Sequence, residues 1–443
     1  MDYIQNTDQD VSEMLRSIGK KDIDELFDSI PQNIKLSKNV DLPQALCEVE
    51  LFSHIKSIST RNTASGDIIS FLGGGYYNHY IPAVVDELSS RSEFYTAYTP
   101  YQAEASQGNL QATFEYQTMI CELTGLDVSN ASHYDGATAL TEAMAMALDH
   151  TGRNTILISS AVNPEYRKVA KTYFSNLDVE IKEIPSENGI TRQDFDASQA
   201  ACVAIQNPNF FGCIEDLEAF ANTAHKSNAL AIASVEPISL ALLKSPGEVG
   251  FDIATGEGQS AGIYSYYGGP GLGFMATKKE FMRAMPGRIV GETQDIDGKR
   301  AFVLTLQTRE QHIRREKASS NICTNQALMA LRAAIYFSTL GRVGLRNVAE
   351  LCINKAHYLA ENICKVKGVE RTFNAPFFNE FAITLPIAPA QVIESLSKNG
   401  IFAGIEVGKF YSDLKNSLLI AVTEKTSKAD MDKFIASLQQ IIK

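Results

Sequence analysis

The chain has 443 residues, 44% of them hydrophobic and 21% charged, more than one ordinary domain needs and enough for a sizeable core. A formal net charge of −12 argues against nucleic acid, whose phosphate backbone calls for a basic face. No apolar run approaches the roughly 20 residues that cross a bilayer, and the acidic start MDYIQNTDQDVSEML is unlike a secretory or transit segment. A cytoplasmic protein without membrane contact is therefore expected.

From Thr7 to Ile30, apolar residues fall near helical spacing, with Gly19 dividing them and Pro31 ending them. This predicts two short helices forming an N-terminal arm that packs on the body or on a partner. A polar loop follows. Next come FLGGGYYNHYIP and EFYTAYTPYQAEASQGNLQ, whose tyrosine density with Pro100 and Gly108 predicts an ordered loop. Phenol rings in such loops serve as packing, as interface anchors or as active-site wall. Residues 110–126 read as an amphipathic helix stopped by Gly125. A second helix opens at Gly136 after the turn Tyr134-Asp135-Gly136, and such a turn can cradle an anion on its unpaired N–H groups.

From 155 onward, the runs TILISSAV, VEIKEI, ACVAIQ, ALAIAS, FDIATGE and LGFMATK alternate with helical segments. That pattern predicts βαβ units and a mostly parallel sheet, with ligands at the C-terminal strand ends. The stretch from Phe251 to Phe274 carries the densest glycine, and no lysine stands between Lys244 and Lys278. Its GxG at 256–258 departs from the dinucleotide pattern, with Ala261 at the third glycine position, so NAD is set aside. Residues 308–326, TREQHIRREKASSNICTNQ, are the most basic stretch and predict either a solvated helix face or else a lined cleft or subunit contact. The tail from about 345 reads as a compact α+β lobe. Its closing helix starts on the capping-box spacing Ser427-x-x-Asp430. Seven cysteines, odd in number and without C-x-x-C, read mostly as buried packing, and the scattered histidines predict no metal site.

The motifs HYIPAVVDEL, SRSEFYTAYTPYQAEASQGNLQ, CELTGLDVSNASHYDGATALTEA, QNPNFFGCIEDL, GGPGLGF and MPGRIVGET span about residues 70–330. Through them the chain resembles the glycine cleavage system P-protein, a decarboxylating glycine dehydrogenase, and specifically subunit 1 of its two-subunit form. The resemblance implies a pyridoxal phosphate (PLP) fold-type-I architecture, aminotransferase-like: an N-terminal helical arm (1–68), a large α/β domain (69–330) and a smaller α+β domain (331–443). It implies decarboxylation of glycine on PLP and passage of the aminomethyl group to lipoylated H-protein. That chemistry needs a Schiff-base lysine, a carboxylate beside the pyridine nitrogen and a phosphate cradle.

Counted back from Pro270, the lysine position holds Gln259, and an amide forms no Schiff base. Glu236 falls about where the pyridine-facing acid belongs, and Asp135, Gly136 and Thr138 match the cradle in form. The resemblance thus implies a subunit without its own cofactor or catalytic residue, with PLP on a lysine-bearing subunit 2 in an α2β2 assembly. Tyr95, Thr96, Tyr98, Tyr101 and Gln102 would then wall the partner's active site or line the subunit interface. Two alternatives stay open: a purely structural or regulatory partner, and a self-sufficient PLP enzyme using Lys278 or Lys279.

Overall fold

The computed structural model describes residues 5–36, 38, 40–64, 66–266, 268–318, 320, 322 and 325–442. It divides into two compact units, Met1–Thr63 and Ala64–Lys443.

In the first unit, helix Asp8–Ser17 is capped by Thr7, whose hydroxyl accepts from Asp10 N while the Asp10 carboxylate accepts from Thr7 N. The second predicted helix is instead a single 3-10 turn, Asp24–Phe27. The carboxylates of Asp22 and Glu25 take the backbone N–H groups of Glu25 and Lys21 at the start of that turn. A real helix, Glu48–Ser59, stands where the sequence predicts polar loop. Leu15 is the one buried hydrophobic residue described in this unit, and Val49, Phe52 and Ile55 lie exposed on the second helix.

The second unit is built on a seven-stranded sheet. Its strands are β1 (Val128–Ser129), β2 (Thr155–Ser159), β3 (Glu180–Ile184), β4 (Ala200–Asn207), β5 (Leu230–Val235), β6 (Ile253–Glu257) and β7 (Gly273–Thr277), in the order β1-β7-β6-β5-β4-β2-β3. β2 to β6 run parallel; β7 is antiparallel to β6 and to β1. The central strands are buried except at Gln206, which is half-buried, as expected for a parallel sheet covered by helices on both faces. Two clusters make those faces, one around Tyr116, Phe220, Phe251 and Phe274, the other around Leu140, Met144, Ile158 and Met275.

The helix over 110–126 is Gln107–Thr124, closed by Gly125 in the left-handed conformation. The helix from Gly136 runs to Thr151. A long helix, Ala327–Ile363, kinks at Gly341 and crosses from the large sheet toward a four-stranded antiparallel sheet containing Glu380–Thr384 and Ser417–Ala421. Phe71, Leu359, Phe381, Ile420 and Phe434 form the core there. The closing helix Lys428–Ile442 carries the Ser427/Asp430 box in both directions. Cys202, Cys213 and Cys352 are buried, Cys47 is exposed at the start of helix Glu48–Ser59, and Cys323 lies outside the described residues. No helix among the described residues is long and apolar enough to cross a membrane.

Candidate functional site

The parallel strands β4, β5 and β6 deliver Gln206, Glu236 and Glu257 to one edge of the sheet, where the loop Gly73–Tyr77 lies across them. Asp135 caps the Gly136 helix: its carboxylate accepts from Thr138 N at 2.8 Å and from the Thr138 hydroxyl at 2.9 Å. The next N–H, that of Gly136, donates to Glu257 Oε2 at 3.0 Å. Glu257 Oε1 accepts from Leu272 N at 2.8 Å and Gln259 N at 3.0 Å, and Tyr76 donates its hydroxyl to Oε2 at 3.4 Å. Burial pushes the Glu257 carboxyl up to about 7; the three N–H groups pull the other way and the nearby Asp135 charge adds to the rise.

Gln259, buried at the lysine position, spends its whole amide on backbone. Its oxygen accepts from Tyr77 N at 2.8 Å, and its nitrogen donates to Tyr77 O at 3.1 Å and Ile263 O at 2.7 Å. Glu236 lines the same cleft, accepting from Ser260 Oγ at 2.6 Å and Ser239 N at 2.7 Å; burial raises its carboxyl. Sequence reasoning missed a third acid. Glu380, at the start of its strand, accepts from Gly74 N at 2.7 Å and the Tyr77 hydroxyl at 2.9 Å, and burial pushes it up to about 7. The one available signal was an acid opening the apolar run FNEFAITLP.

Between these groups about 20 Å³ remains, lined by Tyr77, Tyr166, Glu236, Glu257 and Glu380 among others. That holds roughly one water. A pyridine ring with a phosphate does not fit the space, three buried carboxyl groups offer it no positive partner, and none of the described lining residues carries an amine to receive it. PLP therefore does not match this chain's cleft. Lys278 offers no substitute: it bonds Asp252 Oδ1 at 2.5 Å and Gly250 O at 3.2 Å, ahead of β6, while the cleft is at the other end of that strand. Five residues of strand put the two ends on the order of 16 Å apart, and Lys279 neighbours it, exposed. Neither Lys278 nor Lys279 lines this cleft.

None of the five loop residues lines this cleft. Tyr95 ends a short helix, Ser92–Tyr95, and is 67% exposed; Tyr98 is 95% exposed. Thr96 bonds back to Ser92 O, and Gln102 accepts from the Thr99 hydroxyl. Tyr101 turns inward, with the Arg288 guanidinium 3.8 Å above its ring. Both lie on a cavity of about 820 Å³ with Leu304, Gln307, His312 and Arg315. His312 and Arg315 of the basic stretch line this cavity, residues 311–317 are all exposed, and His312 stands beside Glu310. A β-hairpin, Ile289–Gln294 with Arg300–Thr305, backs this region, and Gln107 bonds Phe302 in both directions.

Sequence reasoning also missed His79, Cys352 and Glu424, which converge in the interior within 4.8 Å. His79 Nδ1 meets Glu424 Oε2 at 2.7 Å, and Glu424 Oε1 accepts from Tyr80 N at 2.6 Å. The group is an ion pair joining the Tyr77–Pro82 loop to the C-terminal sheet.

A doubly covered parallel sheet, a capped helix facing its strand ends and a smaller antiparallel lobe define the fold-type-I class of PLP-dependent transferases. The structure matches that of Lactobacillus brevis glutamate decarboxylase with a TM-score of 0.67 over 94% of this chain and 97% of that one, at 14% identity, a likeness of fold alone. The family model for the glycine cleavage system P-protein matches residues 1–438. The chain belongs to that family. It is 49% identical to the probable glycine dehydrogenase (decarboxylating) subunit 1 of Moorella thermoacetica over 448 residues, covering all of both chains. It is 45% identical to a solved, inhibitor-bound glycine decarboxylase (P-protein) of the glycine cleavage system, with a TM-score of 0.92 over the full length of each.

Proposed function

We propose that this chain acts as the subunit of the glycine cleavage system P-protein that carries no cofactor, completing the active site of a lysine-bearing subunit 2. In that reading PLP is held by the partner, glycine is decarboxylated there, and the aminomethyl group passes to lipoylated H-protein. An α2β2 assembly, a cytoplasmic location and the division into arm (1–68), large domain (69–330) and small domain (331–443) belong to the same reading. The observation that carries it is Gln259: an amide fully bonded to backbone stands where a Schiff-base amine would be needed, in a cleft already filled. Names of the relatives that specify a subunit 1 support a second subunit.

Tyr95 and Tyr98 supply the contribution to the partner. Two large exposed rings in a short, hydrogen-bonded loop suit an interface or a shared active-site wall better than they suit solvent. The test is reconstitution with subunit 2 after borohydride trapping of each chain. The pyridoxyl label should fall on the partner alone. Tyr95→Ala and Tyr98→Ala should each cut glycine-dependent CO₂ exchange about tenfold or more, roughly 1.4 kcal/mol of barrier. Unchanged exchange with intact assembly would reduce this chain to a purely structural partner, and a label on any lysine here would overturn the reading.

A further inference from the structure

The Gly136 helix presents the feature that ordinarily receives a phosphate, a first turn of N–H groups at the positive end of a helix dipole. Here two of those groups are taken. Gly136 N donates to Glu257 Oε2, Thr138 N donates to Asp135, and the second Glu257 oxygen is held by Leu272 N and Gln259 N from the facing loop. The seat is closed as well as occupied. A Cβ on Gly136 would come within 2.5 Å of the Tyr166 hydroxyl and 2.9 Å of Glu257 N, and one on Gly271 within 2.7 Å of the Tyr76 hydroxyl. There is no room for even a methyl group beside the carboxylate.

We propose that Glu257 is a resident occupant, a side-chain carboxyl group seated where a bound phosphate would be, and that it shuts this chain's cleft to PLP and to any phosphate monoester. Exclusion of the cofactor is then built twice: once by the missing amine at Gln259, and once by a carboxyl group that the chain seats there itself. The two are separable, because Glu257 acts on the phosphate and Gln259 on the aldehyde. Asp135 adds a negative charge at the same helix end, so an incoming dianion meets repulsion before it meets a donor. Tyr76, Tyr77 and Tyr166 fill the rest of the mouth.

This assignment rests on the reading that the cofactor is carried elsewhere, and its test uses this chain alone. Thermal unfolding is followed at about pH 8, above the value at which burial holds the Glu257 carboxyl, against inorganic phosphate and separately against PLP, with chloride at matched ionic strength as the reference. Glu257→Ala vacates the seat; Glu257→Gln keeps its shape without the charge and serves where the alanine variant does not fold. The wild-type chain should show no saturable response. Each folded variant should gain a saturable rise of a few degrees, the size expected when ligand is well above its dissociation constant, and the alanine variant should gain more. Folded variants that remain as indifferent as the wild type overturn the role of Glu257 and leave the functional reading standing. A saturable response of the wild type overturns it too, and a borohydride-trapped label on that chain would overturn both.

Discussion

Two carboxyl groups, Glu257 and Glu380, are held by burial up to about 7 while accepting hydrogen bonds from backbone and tyrosine. Because the folded chain keeps these protons where the unfolded chain has lost them, their stabilising contribution is full below the ordinary glutamate value. It falls as pH rises through about 7. The His79 ring, raised well above its usual value by Glu424 despite burial, works in the same direction. Between about pH 5 and about pH 8 the urea midpoint should therefore drop, with each glutamate contributing at most roughly 3 kcal/mol. Glu380→Gln should flatten the slope. A midpoint that stays level or rises over that interval would show that the carboxyls are ionised and fully paired by their donors. At this scale the sequence was partly legible. The absence of lysine before Gly268 identified Gln259, but Glu257 read as one more strand residue. Its partner Gly136 is 121 residues away, and Gly74, the partner of Glu380, is 306 away.

Among the elements, those whose signals are local came out as the periodicity predicts. The Gly136 helix has its cap, its small residues and its glycine stop in consecutive sequence, and it runs from Gly136 to Thr151 between Asp135 and Gly152. Asp135→Ala should cost about 1 kcal/mol by urea unfolding, the usual worth of an N-cap. A cost near zero would mean that Glu257 alone satisfies that helix end. Helix Glu48–Ser59 was illegible for a different reason. Leu51, Ile55 and Ile58 have helical spacing, yet no buried face results and Cys47 is a poor cap.

At the level of the whole molecule, the N-terminal unit exposes Val49, Phe52 and Ile55 and buries only Leu15 among its described hydrophobic residues. Such a unit has little to gain from folding by itself. Amide exchange over Glu48–Ser59 should be fast in the isolated chain and slow after assembly with subunit 2. Equal protection in both states would mean that the arm is not part of the interface. By itself the sequence determined the alternation of strands and helices, the absence of an amine in the central loop and the family motifs, because each is written in neighbouring residues. Only the tertiary structure decided that the cleft is filled. Its carboxylates, tyrosines and helix end come from segments far apart in the chain, and their burial and mutual distance exist only once the sheet brings them to one edge.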